Sequence, residues 1–178
     1  FRRVLFRSDL AGGDSNSQVR DATRVSGNIV AVGAGTQYMT GATASSGDTP
    51  VNWIQGSALS ALPEGQSNSS IASRFVTGRA ISADGSIIGG SVHNSATVRS
   101  AEAALWTSGG ASVSGLGYLG SFTATNGTNG AVNGLSADGS VAYGFSAYDT
   151  SNLQQALRYT AGGGKVALGF LNPGDNGS

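Results

Sequence analysis

ISADGSIIGG at residues 81–90 decides the fold class, because a close copy, LSADGSVAYG, returns at residues 135–144. The two Asp-Gly pairs, Asp84-Gly85 and Asp138-Gly139, lie 54 residues apart, and apolar residues flank both. Asp-Gly favours a two-residue type I′ hairpin turn, in which both central residues have positive φ. Each copy therefore predicts a strand, a tight turn and a second strand. A period of this length is typical of propellers, solenoids and other repeat arrays.

An aromatic residue recurs with nearly the same period. Trp53, Trp106 and Tyr159 each end a short apolar run, and each is followed by a glycine-containing turn and a second apolar run that closes on leucine. One large ring per unit suits the wedge between two packed sheets, so we predict that these three residues are core anchors. A platform on which a ligand stacks is the alternative role.

The repeat divides the chain into about three units. Residues 9–178 form a single repeat domain with units at about 9–62, 63–119 and 120–171. The first unit is degenerate, since Gly27-Asn28 stands where the others have Asp-Gly. Four short strands fit into each unit, which predicts an all-β, β-propeller-like array of about three four-stranded antiparallel blades. The first and last residues of the chain stand at the same position within the repeat unit, so we expect an open fragment of a longer repeat protein. A parallel β-helix is the alternative fold.

Composition supports short strands and limits the chemistry. The chain has 29 glycines, 11% charged residues and no cysteine, which favours β-segments between turns and excludes disulfides and thiolate metal sites. The formal net charge is zero, so no broad basic field indicates a nucleic-acid partner. No apolar run approaches the roughly 20 residues of a membrane-spanning helix.

The first eight residues, FRRVLFRS, differ from everything that follows. They hold Arg2, Arg3 and Arg7, and no later segment is similar to them. The stretch RRVLFRS resembles the in-frame translation of a sequencing adapter, so we interpret residues 1–8 as a non-native tail. A genuine basic N-terminal strand is the alternative.

The unit resembles the HAF-type extracellular repeat of bacterial proteins. That repeat joins an A-F-x-W run, a glycine turn, L-G-x-L, a Gly/Ser loop and V-S-x-D-G-x-V-V-G. The matching segments here are Ala103–Trp106, Leu116–Gly120, Leu135–Gly144, Ala156–Tyr159 and Leu168–Leu171. The resemblance implies export and display at the outer-membrane surface, often as an autotransporter passenger. It supplies no catalytic residues.

Few residues of the chain are suited to catalysis. His93 is the only histidine and has no counterpart in the other units, so we expect an exposed loop residue rather than the base of a Ser-His-Asp triad. Glu64 and Glu102 are the only glutamates, and they form no recurring carboxylate pair. Asp84 and Asp138 are expected to be turn residues. Calcium binding by the loops at residues 13–16 and 174–177 is an alternative, although plain turns are favoured. We predict no cofactor and no metal site.

The longest connections vary most between units. They lie at about 34–49, 91–102 and 147–154 and are polar, and such loops on a rigid scaffold usually carry binding. The hypothesis is a non-enzymatic passenger scaffold that binds a carbohydrate or a cell surface. A propeller-type glycosidase or lyase and a purely structural spacer are the alternatives. The candidate ligand-binding residues are Tyr38, His93, Asn94, Tyr148 and Asp149.

Overall fold

The computed structural model describes residues 17–38, 46–63, 76–93, 100–121, 123–125, 127–149, 151 and 153–169, without the side chains of residues 36–38 and 46–48. Residues 1–8 and both candidate calcium loops lie outside the described residues. The described chain is all-β apart from one short 3-10 turn at Ser108–Gly110. Its twelve strands form three four-stranded antiparallel sheets, and within each sheet the strands follow one another in chain order.

Each sheet corresponds to one predicted unit. The strands are β1 (Ser17–Val25), β2 (Asn28–Tyr38), β3 (Ser46–Ile54) and β4 (Ser60–Ala61) in the first sheet, β5 (Thr77–Ile81), β6 (Ile88–His93), β7 (Ala101–Thr107) and β8 (Ser112–Gly115) in the second, and β9 (Gly130–Leu135), β10 (Val141–Ala147), β11 (Gln154–Thr160) and β12 (Gly164–Ala167) in the third. The prediction of four antiparallel strands per unit is therefore confirmed.

Two details of the predicted strands are wrong. The loop expected at about 34–49 is largely strand, because β2 and β3 stay paired as far as Tyr38 and Ser46. The sequence also predicts that the fourth strands of the two later units extend to Leu119 and Leu171, whereas these strands end at Gly115 and Ala167. Gly117 and Gly169 follow these ends with φ of 66° and 76°, and a left-handed residue cannot continue a strand.

The first strand of every sheet carries a β-bulge at the same place. The ladder between first and second strands skips Arg20 in β1, Arg79 in β5 and Asn133 in β9. In a bulge two residues face one on the partner strand, and the local bend redirects the extra side chain. The three sheets therefore present Arg20, Arg79 and Asn133 at equivalent positions.

A glycine of the second strand accompanies each bulge: Gly33, Gly90 and Gly144. A Cβ on any of them would overlap the backbone carbonyl oxygen of the residue two positions before the bulged one. That oxygen belongs to the backbone and cannot rotate away, so the bulge and the glycine form one structural unit.

The core between the first and second sheets is built around Trp106. Its side chain is 0% exposed and packs in a cluster with Val32, Ile81 and Ile88. The indole Nε1 donates a 2.8 Å hydrogen bond to the carbonyl oxygen of Pro63, so the only polar atom of the ring is satisfied.

A second core lies between the second and third sheets. Ala103, Val132 and Leu157 are buried there, and Tyr159 packs against them while remaining partly exposed. Gly89 of β6 lies directly beneath Val132, whose Cγ1 would clash with a Cβ at position 89. The close approach of two sheets thus depends on a glycine at the contact.

Trp53 lies on the far face of the first sheet. It pairs with Ala31 in the ladder, whereas the adjacent residue Val32 points into the core shared with the second sheet. Because side chains alternate across a strand, Trp53 points away from that core. Its ring is partly exposed, and its Nε1 donates to the Ser57 carbonyl oxygen at 3.0 Å.

Candidate functional site

The three sheets pack on one another with equivalent strand ends side by side. The strand ends therefore form two opposite faces of the described chain. The Ala83 amide, in the Ser-Ala-Asp-Gly turn of the second sheet, donates to the Ala137 carbonyl, in the equivalent turn of the third sheet, at 2.8 Å. Thr23, at the end of β1, donates its hydroxyl to the Ala83 carbonyl at 2.9 Å. These ends form the turn face. The connections β2–β3, β6–β7 and β10–β11 leave from the opposite ends of the strands, which we call the loop face.

The Asp-Gly pairs lie between antiparallel strands, but the predicted two-residue type I′ turn is wrong for both. The Gly85 amide donates to the Ser82 carbonyl at 3.0 Å, and six residues separate the paired Ile81 and Ile88. Only the glycine has positive φ, 74° at Gly85 and 70° at Gly139. Because neither Ala83 nor Asp84 has positive φ, the turn is of type I, with the glycine as its fourth residue.

The degenerate first unit holds the type I′ turn instead. Ser26 and Gly27 have φ of 48° and 85°, and the paired residues Val25 and Asn28 flank them directly. The central pair is therefore Ser26-Gly27, one residue earlier than the expected Gly27-Asn28.

Asp84 and Asp138 hold their turns through hydrogen bonds within the motif. One carboxylate oxygen of Asp84 accepts from the Ser82 hydroxyl at 2.7 Å, the Ser86 amide at 3.0 Å and the Ser86 hydroxyl at 2.8 Å. Asp138 repeats this set with Ser136 and Ser140. Donation by the Ser86 amide and then by the two hydroxyls lowers the pKa of Asp84 to about 2, and the equivalent donors lower the pKa of Asp138 to about 2. Both carboxylates are thus engaged within the turns.

His93 is not the exposed loop residue that the sequence predicts. It ends β6, pairs with Ala101, and is 1% exposed. Its Nδ1 lies 2.9 Å from the Ser100 carbonyl oxygen, while Nε2 is buried without a hydrogen-bond partner among the described residues. The extra strand pairing draws the ring into the interior, so His93 offers no surface for a ligand.

The other candidate ligand-binding residues differ in the exposure and hydrogen bonding of their side chains. Tyr38 ends β2 and pairs with Ser46, and its side chain lies outside the described residues, as does all of Asn94. Tyr148 is 50% exposed on the loop face. Asp149 lies beside it, but Asp149 Oδ1 accepts from the Ser151 amide at 2.9 Å and the Leu153 amide at 3.2 Å. Of the predicted ligand-binding side chains that the structure describes, Tyr148 is therefore the one that remains exposed for contact with a ligand.

A cleft opens on the loop face between the second and third sheets. Its volume is about 120 Å³. It is lined by Arg79, Ser91, Ala101, Asn129, Gly130, Phe145 and Gln154. A larger hollow of about 310 Å³ lies at the turn-face end of the first two sheets, and the residues that line it include no charged side chain. The cleft thus differs from the hollow in having a charged side chain in its lining.

Arg79 supplies that charge. Its Nη1 donates a 2.9 Å hydrogen bond to Asn133 Oδ1 of the next sheet. Burial lowers the pKa of Arg79 below its ordinary value, and the charge of Arg20 lowers it further. Arg20 and Arg79 are thus like charges on the neighbouring first strands β1 and β5.

No sequence motif indicated Arg79. The residue stands where the third unit has Asn133, 54 positions later, and the equivalent arginine of the first unit, Arg20, lies at a different spacing of 59 positions. A signal did exist in Gly90 and Gly144, which recur 54 positions apart. A recurring glycine within a strand indicates a bulge or a close backbone approach.

The described residues contain no group of three or more His, Cys, Asp or Glu placed to hold a metal ion. Within the same residues, no helix is long and apolar enough to cross a membrane. Of the carboxylates considered for glycoside hydrolysis, Glu64 lies outside the described residues. Burial raises the pKa of Glu102, while the Gly117 amide and Lys165 oppose that rise.

Three comparisons with known proteins gave no match. Neither a scan against models of protein families, nor a search of curated proteins, nor a search of solved structures returned a similar protein.

Proposed function

We propose that the chain is an exported, surface-displayed repeat protein of the HAF type, whose three sheets are propeller-like blades and whose loop face binds an extracellular ligand. The ligand is a carbohydrate or a component of a cell surface, and binding involves no chemical turnover. The 54-residue repeat and its resemblance to HAF units support this proposal. The tandem alignment of three four-stranded sheets supports the blade arrangement.

The observation that carries the proposal is the position of the non-recurring connections. All three inter-strand loops with unit-specific sequences leave the sheets at the same end, and the cleft opens there too. Recurring residues such as Asp84 and Asp138 form hydrogen bonds inside their own turns. The unit-specific residues are thus concentrated on one face, as expected for loops that bind on a repeated scaffold.

Tyr148 provides the sharpest test. An exposed tyrosine can stack on a sugar face and donate a hydrogen bond from its hydroxyl. We expect the full chain to bind members of a glycan array, and Tyr148→Ala to weaken that binding by about ten-fold, equivalent to roughly 1.4 kcal/mol. Tyr143→Ala is the matched control, because Tyr143 is 54% exposed but lies within β10, away from the loops.

The alternatives give different outcomes in the same assay. Equal binding by wild type and Tyr148→Ala, together with a loss in Tyr143→Ala, would move the site to the open face of the third sheet. Absence of binding to any glycan and to intact cells would favour a structural spacer. Release of shortened glycan products would favour the glycosidase or lyase alternative.

A further inference from the structure

We propose that Arg79 forms an oxyanion site at the cleft, which takes the carboxylate, sulfate or phosphate group of the ligand, and that Arg20 of the neighbouring strand adds to the positive charge near it. This inference rests on the proposed function, because it assigns a chemical class to the ligand of the loop face. The preferred ligand is then an acidic saccharide rather than a neutral one.

The placement of the two arginines is the first support. Both are the extra residue of a bulge in the first strand of a sheet, and those strands, β1 and β5, lie next to each other. A bulge re-aims a side chain and is over-represented near binding sites. The third bulge presents Asn133, whose Oδ1 accepts from Arg79 and leaves the other guanidinium N–H groups for a ligand.

The electrostatic environment is the second support. Burial lowers the pKa of Arg79, and the charge of Arg20 lowers it further. A partly buried cation near a like charge is unfavourable, and a bound anion would offset the repulsion and part of the desolvation cost. The structure therefore favours an anion more strongly than an isolated surface arginine would.

The cleft is the third support. Arg79 lines a cavity that also includes Gln154 among its residues. Guanidinium groups bind carboxylate, sulfate and phosphate through paired N–H donors, and side-chain amides are common partners of sugar hydroxyls. An acidic sugar matches this set better than an apolar ligand.

Isothermal titration of the full chain tests the proposal with four probes: glucuronate, sulfate, inorganic phosphate and neutral glucose. We expect saturable binding of glucuronate and of at least one inorganic anion, and weaker binding of glucose. Arg79→Gln should weaken anion binding about ten-fold or more, because it removes the charge-assisted hydrogen bonds to the anion. Arg20→Gln should weaken it less, because Arg20 is exposed. Arg158→Gln is the matched control, an exposed arginine of β11.

The melting temperature without ligand separates a binding role from a structural one. Arg79→Gln should fold and melt close to the wild-type temperature, because relief of the buried charge opposes the loss of the hydrogen bond to Asn133. Arg79→Lys should retain part of the anion affinity. Unchanged anion binding in Arg79→Gln, or an equal loss in Arg158→Gln, would overturn the proposal. Glucose binding equal to that of glucuronate would refute the anion site and leave the loop-face function standing. Anion binding that depends on Arg79, without binding to any saccharide on the array, would support the anion site and refute the proposed carbohydrate-binding function.

Discussion

The backbone amide of Ala83 donates a 2.8 Å hydrogen bond to the carbonyl oxygen of Ala137, the residue at the same position in the next Ser-Ala-Asp-Gly turn. Two units 54 residues apart in sequence are therefore joined by their own repeated motif. The Ala137 amide makes no hydrogen bond within the described part of the chain. The pair offers a direct way to measure how strongly neighbouring sheets are coupled.

Proline at position 83 should weaken the contact between the second and third sheets. The residue is the second of a type I turn, where proline is well tolerated, so the main loss is the hydrogen bond to Ala137. We expect Ala83→Pro to lower the free energy of unfolding by about 0.5–1.5 kcal/mol. Ala137→Pro is the control, and it should be neutral or stabilising by up to about 1 kcal/mol. Urea denaturation compares the two, and equal effects would contradict the coupling.

Alanine at position 144 should disrupt the bulge of the third sheet. A Cβ on Gly144 would overlap the Ala131 carbonyl oxygen, and the backbone must shift to relieve the overlap. We expect Gly144→Ala to destabilise the protein by about 1–3 kcal/mol. Gly162→Ala, in an open turn with no atom within 4 Å of the added Cβ, should change stability by less than about 1 kcal/mol. Thermal melts that rank the two variants in the opposite order would refute the steric argument.

The stability contributed by the Asp84 and Asp138 carboxylates should disappear in acid. Each has a pKa of about 2 in the folded chain, against an ordinary value of 3.8. A lowered pKa means that the charged form stabilises the fold above pH 3.8, and this contribution is lost as the pH falls from about 3.8 through 2. Asp84→Asn and Asp138→Asn should therefore melt below wild type at pH 7 and converge with it near pH 2. A constant difference in melting temperature across this range would contradict the assignment.

Truncation of the recurring aromatic residues should have unequal effects. Trp106 is fully buried between two sheets, whereas Trp53 is partly exposed on the far face of the first sheet. We expect Trp106→Ala to cost about 3–5 kcal/mol of unfolding free energy and Trp53→Ala to cost clearly less. Chemical denaturation followed by circular dichroism measures both. Similar losses would show that the far face of the first sheet is as tightly packed as the core.

Several features followed from local sequence rules. The repeated Ser-Ala-Asp-Gly motif located a turn between antiparallel strands, and the spacing of aromatic residues set the length of the unit. The recurring run that ends in Trp106 or Tyr159 predicted the third strand of each later sheet. These signals are readable because a turn or an alternating strand depends on residues close together in the chain.

Other features depended on contacts that no local rule contains. His93 was expected at the surface, but pairing with Ala101 placed it in a strand and buried its ring. The type I turn at Asp84 arises because Ile81 pairs with Ile88, which leaves more residues between the strands than a type I′ turn holds. In both cases the ladder register decided the outcome, and register is set by pairing across the sheet.

The sequence by itself determined the all-β class, the repeat and its approximate strands, because hydrophobic alternation and turn chemistry act over a few residues. Only the tertiary structure decided that the strands of Arg20 and Arg79 lie next to each other, and that Arg79 lines a cleft between two sheets. The two arginines are 59 positions apart and have no shared motif around them. Their placement arises from two bulges and from the stacking of one sheet on the next, and these depend on packing between residues distant in the chain.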